Sequence, residues 1–182
     1  MKLKRAILSV LLISSLTVSC INVSVRDLEK YMENAGKAMA THDYQEAIAW
    51  YQKAADSGSA EAKFWVAKLH NEGRGVEKDV EGAFKLYKEA AESGHIKSQY
   101  ELARKYQIGE GVEKNSEEAF RWYSIAAEQG HSDAQYNLAK MYAEGEGTAR
   151  DLNEAERWYK EAASQGNFKA DYELVRLWGK KK

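Results

Sequence analysis

The chain repeats itself every 36 residues. EGRGVEKD at 72–79 returns as IGEGVEKN at 108–115 and as EGEGTARD at 144–151. Gly58, Gly94, Gly130 and Gly166 keep the same period, as do Ala47, Ala83, Ala119 and Ala155. So do Tyr51, Tyr87, Tyr123 and Tyr159, and the pair Ala54-Ala55 recurs at 90–91, 126–127 and 162–163. A unit this short cannot bury its apolar face alone, so neighbours must stack and cover each other.

The recurring glycine pair invites comparison with a phosphate-binding loop. Such a loop is needed once, follows a strand and carries GK[ST]. Here the pair occurs three times, with no strand-like segment before it and no GK[ST]. The structural role fits better, because glycine takes positive φ without a steric cost and can end one helix before the next begins.

Each unit reads as two helices. In the second, Ala83, Leu86, Tyr87, Ala90 and Ala91 fall on one face at helical spacing. Asn115 with Glu118, and Asp151 with Glu154, have N-cap and N3 spacing. In the first helix, Ala134, Leu138 and Tyr142 share one side. Small Ala67, Ala103 and Ala139 allow close approach of neighbouring helices.

The pattern A-x-x-x-L-A-x-x-Y-x-x-G-x-G-V, followed by D-x-x-x-A-x-x-W-Y-x-x-A-A-x-x-G, resembles the Sel-1-like repeat family, a relative of the tetratricopeptide repeats. Units 59–94, 95–130 and 131–166 match it, with His70, Val66 and Thr148 as mild departures. Residues 26–58 form a variant first unit nearer to a tetratricopeptide repeat, with Thr41-His42-Asp43 in place of the glycine loop. Residues 167–182 supply one further helix, expected to cap the array, and a basic tail. The resemblance implies an all-α fold, an α-solenoid of stacked helix-turn-helix units.

The N-terminus reads as an address. Lys2, Lys4 and Arg5 precede an apolar run from Ala6 to Val18, too short to span a membrane. This is the layout of a signal peptide over 1–19. The end of the run, Leu16-Thr17-Val18-Ser19-Cys20, resembles a bacterial lipobox, although Thr17 stands where the family prefers leucine. The resemblance implies lipidation at Cys20, a short linker over 20–25 and, since Ile21 is not aspartate, an outer-membrane lipoprotein. The alternative is a soluble periplasmic or secreted protein cut near Ser19. Cys20 is the only cysteine, so one chain holds no disulfide.

Chemistry is sparse. Without the first nineteen residues the chain carries 24 basic against 28 acidic residues, about −4, lacking the basic excess that nucleic-acid binding requires. No H-E-x-x-H occurs, and no G-x-S-x-G or S-x-x-K lies in the repeats. His95 and His131 share a helix-start column with Ser59 and Asn167, too widely spaced to share a metal. His70 replaces a tyrosine and reads as a packed core residue. The expectation is a non-catalytic protein without cofactor or metal.

A solenoid offers a concave face, which in the resembled family is lined by the first helices. On a helical wheel with Ala62 at zero, the sector at about 240–300° stays free of packing duties. At about 240° stand Lys68, Arg104, Lys140 and Arg176, all basic, and at about 300° stand Trp65, Glu101, Asn137 and Glu173. A constant cation beside variable neighbours suits a partly acidic peptide or protein segment, with arginine gripping carboxylates and Trp65 as an anchor. The competing account is a solvated face laced with ion pairs. Phe64, Tyr100, Tyr136 and Tyr172 read as packing between units. The expected function is a lipid-tethered interaction scaffold; a peptidoglycan-binding module and, more distantly, a hydrolase are the alternatives.

Overall fold

A computed structural model describes residues 25–180. Among the described residues there are nine α-helices and no strand: α1 (25–40), α2 (Tyr44–Asp56), α3 (Ala60–Glu72), α4 (Val80–Glu92), α5 (Ile96–Ile108), α6 (Ser116–Glu128), α7 (Ser132–Glu144), α8 (Leu152–Ser164) and α9 (Phe168–Lys180). The signal peptide expected over 1–19 and the lipidation site expected at Cys20 lie outside the described residues. No helix among the described residues is long and apolar enough to cross a membrane.

Helices α2 to α9 are each 13 residues long. Isolated helices of that length are marginal in water, so lateral packing must hold them. Each packs mainly on its neighbours in sequence. The architecture is therefore an all-α solenoid of antiparallel pairs, as the period predicts.

The core follows the repeat columns. Ala47, Ala83, Ala119 and Ala155 are fully buried and bring helices into close contact. Tyr51, Tyr87, Tyr123 and Tyr159 lie beside them, almost wholly buried. In the first helices the buried positions include Ala67, Ala103 and Ala139, with Leu102 and Leu138.

Helix ends follow the sequence reading closely. Asn115 Oδ1 accepts the Glu118 amide at 3.0 Å, and Asp151 Oδ1 accepts the amides of Asn153 at 2.8 Å and Glu154 at 3.1 Å. His95 and His131 cap α5 and α7, each accepting a backbone N–H at Nδ1. Gly73, Gly109 and Gly145 end the first helices in the left-handed region.

The second glycine of each pair does more than turn the chain. A Cβ on Gly147 would strike the backbone carbonyl of Ser116 at the start of α6, and Gly111 stands in the same way against Val80. The loop of one unit thus rests on the second helix of the unit before it. The expectation of a simple hinge at both glycines is corrected here: the second is a close-packing point between units.

The end of the array also differs from expectation. Helix α9 covers α8 through Ala170, Leu174 and Leu177, all buried. Its opposite face leaves Phe168, Tyr172 and Val175 more than 60% exposed. Tyr172 is therefore not packed between units, because no described helix lies against that face.

Candidate binding face

Helices α3, α5, α7 and α9 carry the basic column. The tyrosine column of the second helices lies behind it, at the seams between successive first helices. Tyr51 stacks on Trp65 of α3, ring centres 5.7 Å apart. Tyr87 contacts Phe64 of α3 at 5.8 Å, and Lys105 of α5 places its ammonium 5.6 Å from the same ring. Tyr123 donates from its hydroxyl to Gln107 Oε1 at 3.0 Å. Burial pushes the phenols of Tyr87, Tyr123 and Tyr159 well above their ordinary value, so they remain donors at any physiological pH.

The basic column is present, and most of its members have acidic company. Arg104 Nε lies 3.0 Å from Glu101 and its Nη2 lies 3.6 Å from Glu110. Lys140 stands 4.0 Å from Glu144, and Arg176 stands 2.9 Å from Glu173. Lys68 instead lies 5.2 Å from the Trp65 ring centre. Exposed ion pairs of this kind add little stability, and their carboxylates can be exchanged for a ligand's at small cost. Trp65 is half-buried, with one face on Tyr51 and an edge on Phe64. Asn137 turns back to donate to the Asp133 carbonyl at 2.8 Å.

The sequence reading missed Lys105. Its side chain is fully buried in a column otherwise held by Leu69, Met141 and Leu177. The ammonium donates to Asn71 Oδ1 at 2.6 Å and to Glu110 Oε2 at 3.1 Å. Burial pushes the amine below its ordinary value, and the Glu110 contact partly restores it. Burial works to raise the Glu110 carboxyl, but the Lys105 bond and the charges of Lys105, Arg104 and Lys78 outweigh it and hold it low. A lysine in a Leu/Met column was the available signal.

The three seams between α3, α5, α7 and α9 differ in what fills them. Between α3 and α5 the filling is Asn71, Lys105 and Glu110. Between α5 and α7 it is Gln107 and Met141, with Glu146 bound to Ser116 at 3.0 Å and to Lys114 at 3.5 Å. Between α7 and α9 the matching residues are Ala143 and Leu177, which line a cavity of about 360 Å³.

Other expected features fall into structural roles. The His131 ring stacks on Tyr100 at 4.7 Å, and His95 packs on Phe64 at 5.1 Å. Burial lowers the pKa of both histidines. His70 is partly buried, and its Nδ1 has no hydrogen-bond partner among the described residues. No group of three or more His, Cys, Asp or Glu among the described residues is arranged to hold a metal ion.

The family model of the Sel1 repeat matches four successive segments, 18–59, 60–95, 96–131 and 132–167. The chain belongs to the Sel1 repeat family. Its Sel1 units, like those of the family, are two-helix modules that stack, and the variant first unit is included in the match. Sel1 repeat proteins generally mediate protein–protein interaction, and their scaffolds are generally non-catalytic. A Sel1 repeat protein from Oxalobacter formigenes is 31% identical with a TM-score of 0.78, covering 83% of this chain and 62% of that one. The protective antigen c5321 of uropathogenic Escherichia coli, which displays the same fold, is 29% identical with a TM-score of 0.77, covering 85% of this chain and 33% of that one. The chain thus spans less than two thirds of either relative. No curated protein matches it.

Proposed function

We propose that this Sel1 protein is a non-catalytic scaffold that holds an extended segment of a partner protein along its first-helix face. The observation that carries this reading is the register of Lys68, Arg104, Lys140 and Arg176, one cation per unit on a single face. Neighbouring first helices stand roughly 10 Å apart, about three residues of extended chain. A segment with an acidic side chain near every third position would meet each cation in turn. Stacked units hold the face rigid, which lowers the ordering cost of association.

We further propose, on the lipobox resemblance of Leu16 to Cys20, a cell-envelope protein tethered by lipid at Cys20, where a tether raises the local concentration of any partner on the same membrane. Cys20→Ala is expected to abolish incorporation of radioactive palmitate; undiminished labelling would remove the tether.

The groove is tested on a peptide array. Lys68→Glu with Lys140→Glu is the chosen variant, because Arg104 is bound into the Glu101–Glu110 network and its reversal would disturb the fold. Capture by the double variant should fall at least tenfold while helical circular dichroism stays unchanged. Equal capture by both proteins refutes the groove; binding to purified sacculi in place of peptides would turn the reading to a cell-wall module.

A further inference from the structure

The three seams between α3, α5, α7 and α9 are the same compartment built three times, and two are filled from within. At the first, the Glu110 carboxylate sits on Lys105 and Arg104, with Lys78 also lowering its pKa. At the second, the Glu146 carboxylate occupies the matching place beside Lys114. Lys78, Lys114 and Arg150 form one sequence column, and Arg104, Lys140 and Arg176 another. Each filled seam thus sets one loop carboxylate beside a cation: Glu110 meets Arg104 and Lys105, and Glu146 meets Lys114.

Among the described residues, the third seam keeps the cations and lacks the loop carboxylate. Lys140, Arg150 and Arg176 line its cavity, while Ala143 stands where Asn71 and Gln107 reach inward. The column of Glu110 and Glu146 continues in sequence to Lys182, which lies outside the described residues. Glu144 and Glu173 also line the cavity, which leaves one positive charge in excess. Arg150 donates from Nε to the Ala143 carbonyl at 3.0 Å and has no ion pair among the described residues. Tyr159 lines the cavity, and burial keeps its phenol protonated.

We propose that this cavity between α7, α8 and α9 receives an acidic side chain of the bound segment, in the place that Glu110 and Glu146 take at the other two seams. The inference rests on the groove reading and deepens it. It gives the groove a direction, because one end reads a carboxylate in a cavity while the other end offers Lys68 and Trp65.

The test uses the full chain and two small probes that differ only in charge, N-acetylglutamic acid α-amide and N-acetylglutamine α-amide. Proton–nitrogen NMR follows the Nε–H signals of Arg150 and Arg176. The acidic probe should move both signals in a saturable way, and the neutral probe should bind at least fivefold more weakly. Ala143→Gln places the second seam's side chain in the third and leaves every cation intact; it should abolish the response, and Arg150→Gln should weaken it at least threefold. Equal response to both probes, no response to either, or an unchanged response in Ala143→Gln overturns the assignment. Peptide capture, measured in parallel, separates the two readings. Peptide capture that is lost in Lys68→Glu with Lys140→Glu but unchanged in Ala143→Gln refutes the cavity and leaves the groove. An acidic probe held by a protein that captures no peptide keeps the cavity and removes the groove.

Discussion

The imidazole of His131 lies flat on the ring of Tyr100, centres 4.7 Å apart and planes 13° apart. Its Nδ1 accepts the Ala134 amide at 3.3 Å, so the same ring caps α7 and joins it to α5. One unit earlier, His95 accepts the Ser98 amide at 3.3 Å and packs on Phe64 of α3 at 5.1 Å, its ring tilted by 50°.

Both caps require a neutral Nδ1, and burial lowers both pKa values. Asp133 and Glu101 favour protonation of His131 while Lys97 opposes it, and Glu61 and Lys97 act in the same opposed way on His95. The folded state therefore binds fewer protons than the unfolded chain. Stability should decline as pH falls through the unfolded value of about 6.5 and level off below the folded value. Thermal melts between about pH 7.5 and 5.5 should show this decline. His95→Asn with His131→Asn keeps a capping side chain, as Asn167 provides in the same column, and should flatten it.

Lys105 is expected to be replaceable while its partner is not. Lys105→Met restores the residue type of the equivalent Met141, and removing a buried charge in favour of a packed side chain is neutral or stabilising. Glu110→Ala leaves the ammonium with Asn71 alone and should cost about 2 kcal/mol. Urea denaturation of the two variants gives opposite or unequal shifts in midpoint; equal losses would contradict the network.

Two glycines of similar φ should respond differently to alanine. Gly130 has φ of 87° with nothing within 4 Å of an added Cβ, so Gly130→Ala should cost only the left-handed strain, about 1 kcal/mol. Gly147 has φ of 70° and faces the Ser116 carbonyl, so Gly147→Ala adds a collision and should lose at least about 2 kcal/mol. Comparing their urea midpoints with wild type checks the difference.

The tyrosines of one column should separate in the same manner. Tyr136 packs on Tyr159 at 5.8 Å, whereas Tyr172 is 66% exposed. Tyr136→Ala should cost about 3 kcal/mol, in the range of large aromatic truncations. Tyr172→Ala should stay within about 0.5 kcal/mol, as surface changes do. A similar loss at both positions would place a covering element on the free face of α9.

Much of this was legible in the chain because a repeat multiplies weak signals. One glycine pair is ambiguous; three at a fixed spacing, each followed by a capping Asp or Asn, define helix ends. What escaped was whatever breaks the column. Lys105 in an aliphatic column makes sense only once Asn71 and Glu110, remote in sequence, are seen beside it. Ala143 looked like one more small residue until the seam it leaves open was compared with its neighbours. Tyr172 shares the column of Tyr136, but a column records a residue type and says nothing about whether a neighbour arrives.

Packing between successive helices has a consequence for how such a chain can change. A substitution at one seam alters the hairpins on either side and reaches the others only through them. Asn–Lys, Gln–Met and Ala–Leu occupy equivalent sites on nearly identical backbones, so each berth can be refurnished without rebuilding the rest. Selectivity along the molecule can then be rewritten berth by berth, like letters changed in a word whose length stays fixed.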